Sequence, residues 1–269
     1  IDVLIQNNRI HNAGRGLWMD WMSQGTRIHR NVLYDNTTDD LFIEVNHGPF
    51  VVDNNLFLSE LSLRDWSQGG LYAHNLFAGE IESRLVLGRS TPYHQPHSTT
   101  LAGITNIHGS DNRFMNNIFI GDGTPLEPQL RQANDEEKTF RGFGLWVYNT
   151  RRFPLMASGN VYFHAAAPYN KEPYPRAEIA TNPEMALHES DGKGFLHARF
   201  QSDPFATQTS IVTTSRLGRT MIGGLDFRDV DGSSLSIETD FFGQKRDAQN
   251  PTPGPFESLS ENEPRIRLW

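Results

Sequence analysis

Short apolar runs opened by an asparagine recur along the chain: Asn31-Val32-Leu33-Tyr34, Asn55-Leu56-Phe57-Leu58, Asn75-Leu76-Phe77, Asn117-Ile118-Phe119-Ile120 and Asn160-Val161-Tyr162-Phe163, with Asn8-Arg9-Ile10 heading the series. The asparagines stand 23, 24, 20, 42 and 43 residues apart. Similarity at a period of this size marks a stacked architecture. The two long steps read either as one coil carrying a long loop or as two coils, one of them degenerate. Gly, Asn and Asp break almost every run and no amphipathic window is long enough for a helix, which separates the pattern from leucine-rich repeats. The pattern therefore predicts an all-β chain of parallel solenoid coils. An asparagine suits the position before each strand because it tolerates left-handed backbone angles and can hydrogen-bond to its copies in neighbouring coils.

Between the first asparagines lie two similar segments, GLWMDW (16–21) and DLFIEV (40–45). Alternation sorts each onto two faces. Leu17, Met19 and Trp21 are expected to stack on Leu41, Ile43 and Val45 in the interior, leaving Trp18 and Asp20 over Phe42 and Glu44 outside. Asp20 and Glu44 are 44 − 20 = 24 residues apart, close to one coil. Stacked strands lie about 4.8 Å apart, and a retaining glycosidase holds its two carboxyls roughly 5–5.5 Å apart. One acid alone on a strand face is ordinarily a solvated polar position; two in register beside aromatic rings point to carbohydrate chemistry. Asp39 and Asp40 precede the strand and read as turn residues.

Further segments carry candidate chemistry. In Asn46-His47-Gly48-Pro49, His47 is placed to hydrogen-bond a carboxylate or a sugar hydroxyl, or else to serve structurally, while Gly48 and Pro49 turn the chain. The coil pattern lapses from Gly88 to Gly109. There TPYHQPHST (91–99) sets Tyr93, His94 and His97 in a Pro-bounded loop, expected together with Arg89 to fold over the strand face and close an exo-type pocket. His94 and His97 lack the third ligand that a metal site needs, so neither metal nor cofactor is expected. Gln24 in WMSQG (21–25) and Trp66 and Gln68 in DWSQGG (65–70) read as coil corners. NDEEK (134–138) reads as a polar loop.

Composition narrows the partners. The chain has 269 residues, 37% of them hydrophobic, with a mean hydropathy of −0.53; that suits one elongated domain and offers no membrane span. A net charge of −8 argues against nucleic acid and other polyanions, so a neutral oligosaccharide is the expected partner. The absence of Cys excludes disulfides but leaves cytoplasmic and exported locations open. A homo-oligomer is compatible with the sequence. Asp2-Val3-Leu4-Ile5 already reads as a strand with no cap before it, and a solenoid needs caps; the expectation is a C-terminal portion whose earlier, missing N-terminal coils complete the site. Residues 1–222 are read as catalytic coils with inserted loops and 223–269 as capping strands, with RIRLW (265–269) on the last coil. Pro168 to Pro183 reads as an ordered layer anchored by Tyr169, Tyr174, Ile179 and Ala180.

The runs GLWMDWMSQGTRIHRNVLYDN (16–36), DLFIEVNHGPFVVDNNLFLS (40–59), SQGGLYAHNLFAG (67–79) and TPYHQPHST (91–99) resemble the β-xylosidases of glycoside hydrolase family 120. The resemblance implies a right-handed parallel β-helix, retaining exo-cleavage, Asp20 as nucleophile and Glu44 as acid/base. It also implies a β-sandwich inserted near the N-terminus, which has no counterpart here, and it is the sole source of xylose as the sugar. Two other classes compete. A β-helix polysaccharide lyase needs a Lys or Arg base and a groove rich in basic residues, and the acid-bearing strands contain no Lys. A non-catalytic carbohydrate-binding solenoid has no need of two acids one coil apart.

Overall fold

The computed structural model describes residues 1–127, 139–200, 208–258 and 265–269; NDEEK at 134–138 lies outside the described residues. Seven short strands, Arg9–His11, Val32–Tyr34, Leu56–Phe57, Leu76–Phe77, Ile118–Ile120, Val161–Phe163 and Arg176–Glu178, form one parallel sheet in chain order. A second sheet carries Leu4–Gln6, Arg27–His29, Asp39–Asp53, Leu61–Ala73 and Glu80–Ser83, again parallel in chain order. The chain thus alternates between two sheets, adding to each in turn, as a β-helix-like solenoid does. The molecule is all-β: helix among the described residues amounts to a 3₁₀ turn at Leu145–Tyr148 and an α turn at Thr214–Leu217.

Leu76 pairs directly with Ile118, and Ile118 with Val161. Both long asparagine intervals are therefore single coils bearing long excursions. Each of the six asparagines from Asn8 to Asn160 accepts or donates along one ladder: Asn31 Oδ1 takes both the backbone and side-chain N–H of Asn8, Asn55 does so for Asn31, Asn75 for Asn55, Asn117 for Asn75 and Asn160 for Asn117. At the far end Asn160 and Tyr162 donate to Glu172. The left-handed conformation sits one residue earlier than expected, at Asn7, Arg30, Asn54, His74, Asn116 and Gly159. The ladder asparagine starts the strand while its neighbour makes the bend.

Alternation explains the core. The middle residue of each short strand points inward, so that Phe57, Phe77, Phe119 and Tyr162 stack at 5.1–5.2 Å, facing Leu41, Ile43, Leu63, Tyr72 and Phe114 of the second sheet. The flanking residues point outward and are covered by the C-terminal half. Phe200 and Ala198 pack with Ile118, Ile120 and Phe163. Arg265–Arg267 adds an antiparallel strand to Lys193–His197. RIRLW does not lie on the last coil: Trp269 stacks on Tyr34 at 6.1 Å and has the Arg9 guanidinium 4.8 Å from its own ring, at the opposite end of the stack. Of the four anchors expected in the Pro-rich segment only Tyr169 is buried, while Tyr174, Ile179 and Ala180 are exposed and the segment is held also by the buried Glu172.

The strand Asp39–Asp53 runs 15 residues, so Asn46 to Pro49 is no turn. It kinks instead, with register shifts on either side of His47. A Cβ on Gly48 would lie 1.7 Å from the Gly69 carbonyl oxygen, which fixes glycine there by close approach of two coils. Two short strands of the preceding coil, Arg15–Met19 and Arg27–His29, line up along its two halves. In the coil after Leu61–Ala73 the halves are Glu80–Ser83 and Arg113–Met115. Between them an antiparallel hairpin, Val86–His94 with Leu101–Ile107, replaces the expected loop.

Candidate active site

Trp18 pairs with Phe42 and Met19 with Ile43. Continuing that register by one residue sets Asp20, just past the strand end, opposite Glu44. Each Glu44 oxygen accepts a donor: Oε2 from Trp18 Nε1 at 3.0 Å, Oε1 from Arg89 Nη1 at 3.4 Å. The carboxylate orientation is thereby fixed from two sides. Asp20 is exposed, and its Oδ1 accepts the Trp21 backbone N–H at 2.9 Å while its carbonyl accepts Ser23 Oγ at 2.9 Å. Such local side-chain bonds compete with the ladder and end the strand. Alternation ends with it, so Trp21, expected inside, is 42% exposed and carries the Arg89 guanidinium 4.6 Å above its ring. Val45 keeps the buried position, with a left-handed φ of 44° where the strand kinks.

Phe42 is buried rather than open to a sugar. Trp18 stacks on it at 6.0 Å, Trp66 meets it edge-on at 5.1 Å, and Arg15 lies 4.6 Å away, so Phe42 supports the rings and charges around it. Trp18 is 54% exposed and is the open ring beside Glu44. Trp66, expected at a corner, pairs in the strand with Glu44 and donates from Nε1 to Glu82 at 2.9 Å, repeating the Trp18–Glu44 bond further along the stack. Arg15 and Arg64 reach the buried Asp39 at 3.7 and 3.4 Å. Burial pushes the Asp39 carboxyl up against the pull of these arginines. Asp39 and Asp40 are buried structural acids; Asp40 accepts from Asn36 and Ser59, and burial raises it to about 6.

The two SQG glutamines hold the hairpin, a role that turn chemistry does not suggest. Gln24 Oε1 accepts His94 N at 2.5 Å. Gln68 Oε1 accepts His108 N at 2.8 Å, and its amide donates to Asn106 O at 3.3 Å. His47 is buried, bonded to Thr91 O at 3.1 Å and to the Gln68 amide at 2.7 Å, with Tyr93 edge-on at 5.6 Å. It touches no carboxylate, and burial lowers its pKa, so it is a neutral hairpin anchor rather than a sugar ligand. Tyr93 is occupied with His47 and with Gly103. Buried hydrogen bonds of this kind contribute about 1 kcal/mol each. The half-exposed Arg89–Glu44 pair contributes between nothing and about 1 kcal/mol, so the hairpin is held by its base and not by Arg89.

His94 is buried, and His97 pairs with Asp2 at 3.2 Å. His97 lines a separate cleft of about 420 Å³ with Gln24, Pro49, Arg219 and Arg228, a lining that includes neither Asp20 nor Glu44. The loop expected to bring both histidines over the strand face thus sets His94 in a buried position and His97 at another cleft; of the hairpin residues, Arg89 is the one bonded to Glu44. No cluster of metal-ligating side chains occurs among the described residues. No helix among them is long and apolar enough to cross a membrane.

No family model matches the chain, and no curated protein matches it. Among solved structures the chain is similar to XylC in its complex with xylose, with a TM-score of 0.85 and 34% identity over 100% of this chain. The match covers 43% of XylC, so the chain spans less than half the length of that protein.

Proposed function

We propose that the chain is the catalytic part of a retaining, exo-acting β-xylosidase on a right-handed parallel β-helix, releasing xylose from xylo-oligosaccharides. The observation that carries this reading is the pairing of Trp18 with Phe42 and Met19 with Ile43, which extended by one residue sets Asp20 opposite Glu44 beside the exposed Trp18. Similarity over the full chain to a protein solved with xylose supports the sugar. Asp20 attacks the anomeric carbon as the bond to the leaving oxygen breaks, and Glu44 delivers a proton to that oxygen. Glu44 then takes a proton from the water that hydrolyses the glycosyl-enzyme, with net retention. The opposite assignment has one observation in its favour: a donor on each oxygen of Glu44 suits a carboxylate that works ionised, as a nucleophile must.

Mutants of the full polypeptide separate these readings. Asp20→Ala is expected to lose turnover of every aryl xyloside, by about 10³-fold or more. Glu44→Ala is expected to keep glycosylation when the leaving group is a good one, and to regain turnover with azide, because a small anion needs no base. The reverse pattern exchanges the two roles. Full activity in both mutants removes the acid pair, and sugar binding without turnover in the unmutated protein points to a non-catalytic solenoid.

A further inference from the structure

The segment between Ser83 and Arg113 leaves the coil beside Asp65 and Leu71, the register partners of those two residues. The hairpin therefore emerges over the stretch of strand that contains His47 and follows Glu44. Its base is fixed by buried groups: His47 on Thr91, Gln24 on His94 and Gln68 on Asn106 and His108. From this fixed base Arg89 extends to Glu44 of one coil and lies over Trp21 of the coil before it. Its side chain thus crosses the outward face on the hairpin side of the acids, while Trp18 leaves an exposed ring on the same face. A planar guanidinium both stacks on an indole and donates to a carboxylate, which a lysine ammonium does not do from one position.

We propose that Arg89, seated on Trp21 and bonded to Glu44, bars the outward face beside the acid pair, so that a β-linked sugar chain enters only by its terminal residue. This rests on the reading of Asp20 and Glu44 as the glycosidase pair. An uninterrupted β-helix face accommodates a chain passing through; a side chain laid across it makes a groove into a pocket. Trp21 is then a specificity residue through Arg89, although it touches no reacting group.

The test compares the unmutated protein with Arg89→Ala, Arg89→Lys and Trp21→Ala on a xylo-oligosaccharide ladder. The unmutated protein is expected to release monosaccharide alone. Arg89→Ala and Trp21→Ala are expected to give early products of mixed length, with Arg89→Lys between. Monosaccharide alone from both alanine variants overturns the proposal, as does a mixed ladder from the unmutated protein. A rise in KM for p-nitrophenyl xyloside with the ladder unchanged makes Arg89 an ordinary sugar contact and also overturns it.

A binding arm is independent of turnover. By calorimetry the unmutated protein is expected to bind xylohexaose at least about tenfold more tightly than the same chain carrying a benzyl ether on its non-reducing sugar, and Arg89→Ala is expected to lose that preference. Equal binding of the two chains by the unmutated protein, or no binding of either, overturns the bar. Failure of the acid-pair reading shows elsewhere, as retained p-nitrophenyl xyloside turnover in Asp20→Ala and Glu44→Ala.

Discussion

Glu172 closes the asparagine ladder in a buried site, accepting from Asn160 at 2.8 Å and from the Tyr162 hydroxyl. Burial raises its pKa from 4.5 to about 7, against the pull of those donors. Between those values the folded chain binds more protons than the unfolded one, so stability falls as pH rises from 4.5 to about 7 and then levels. The loss from this group is on the order of 3 kcal/mol. Glu172→Gln is expected to flatten that part of the curve in denaturant titrations across the range; an unchanged slope would remove Glu172 as its source. Asp53 contributes elsewhere: although burial opposes ionisation, Arg27 and His29 hold it well below the usual carboxylate range, so its contribution is lost only in stronger acid. The ladder was legible because one residue type repeats at each strand start. The left-handed residue before it was not, since Asn, Arg, His and Gly share that position. Trp21 was misplaced for a related reason: alternation holds only while the strand lasts, and Asp20 ends it.

The hairpin shows how far periodicity carries at the level of elements. A lapse in the coil pattern marked the excursion, but the antiparallel pairing of Val86–His94 with Leu101–Ile107 depends on contacts made across the coil, which no local signal reports. Gln24 and Gln68 resembled turn residues because both precede glycine; their side chains instead bond hairpin backbone. Gln68→Ala leaves His108 N and Asn106 O without these partners, and the expected effect is local opening of the hairpin rather than unfolding of the coils. Amide exchange over 86–107 should accelerate by about 30-fold, equivalent to about 2 kcal/mol, with the Leu56–Phe57 and Leu76–Phe77 amides unaffected. Uniform acceleration would mean that Gln68 supports the stack as a whole.

At the scale of the molecule, two parallel sheets stacked by an asparagine ladder and an aromatic column form a rigid support, and the second sheet carries Glu44, with Asp20 just past the end of the neighbouring strand. The outward position of Glu44 follows from alternation and the 24-residue offset, both visible in the sequence. Arg64 and Glu82, which with Arg15 and Asp39 surround Phe42 and Trp66, went unnoticed because their proximity comes from the pairing of later coils at a shorter spacing: Phe42 meets Arg64, 22 residues on, and Arg64 meets Glu82 after 18. The proposed double displacement rests on the Trp18–Phe42 and Met19–Ile43 register, which extended by one residue sets Asp20 opposite Glu44 at a strand spacing of about 4.8 Å. The most direct measurement follows the first product of p-nitrophenyl β-xyloside hydrolysis by proton NMR before mutarotation. β-Xylose appearing first is the expected result, and α-xylose appearing first would contradict the retaining acid pair.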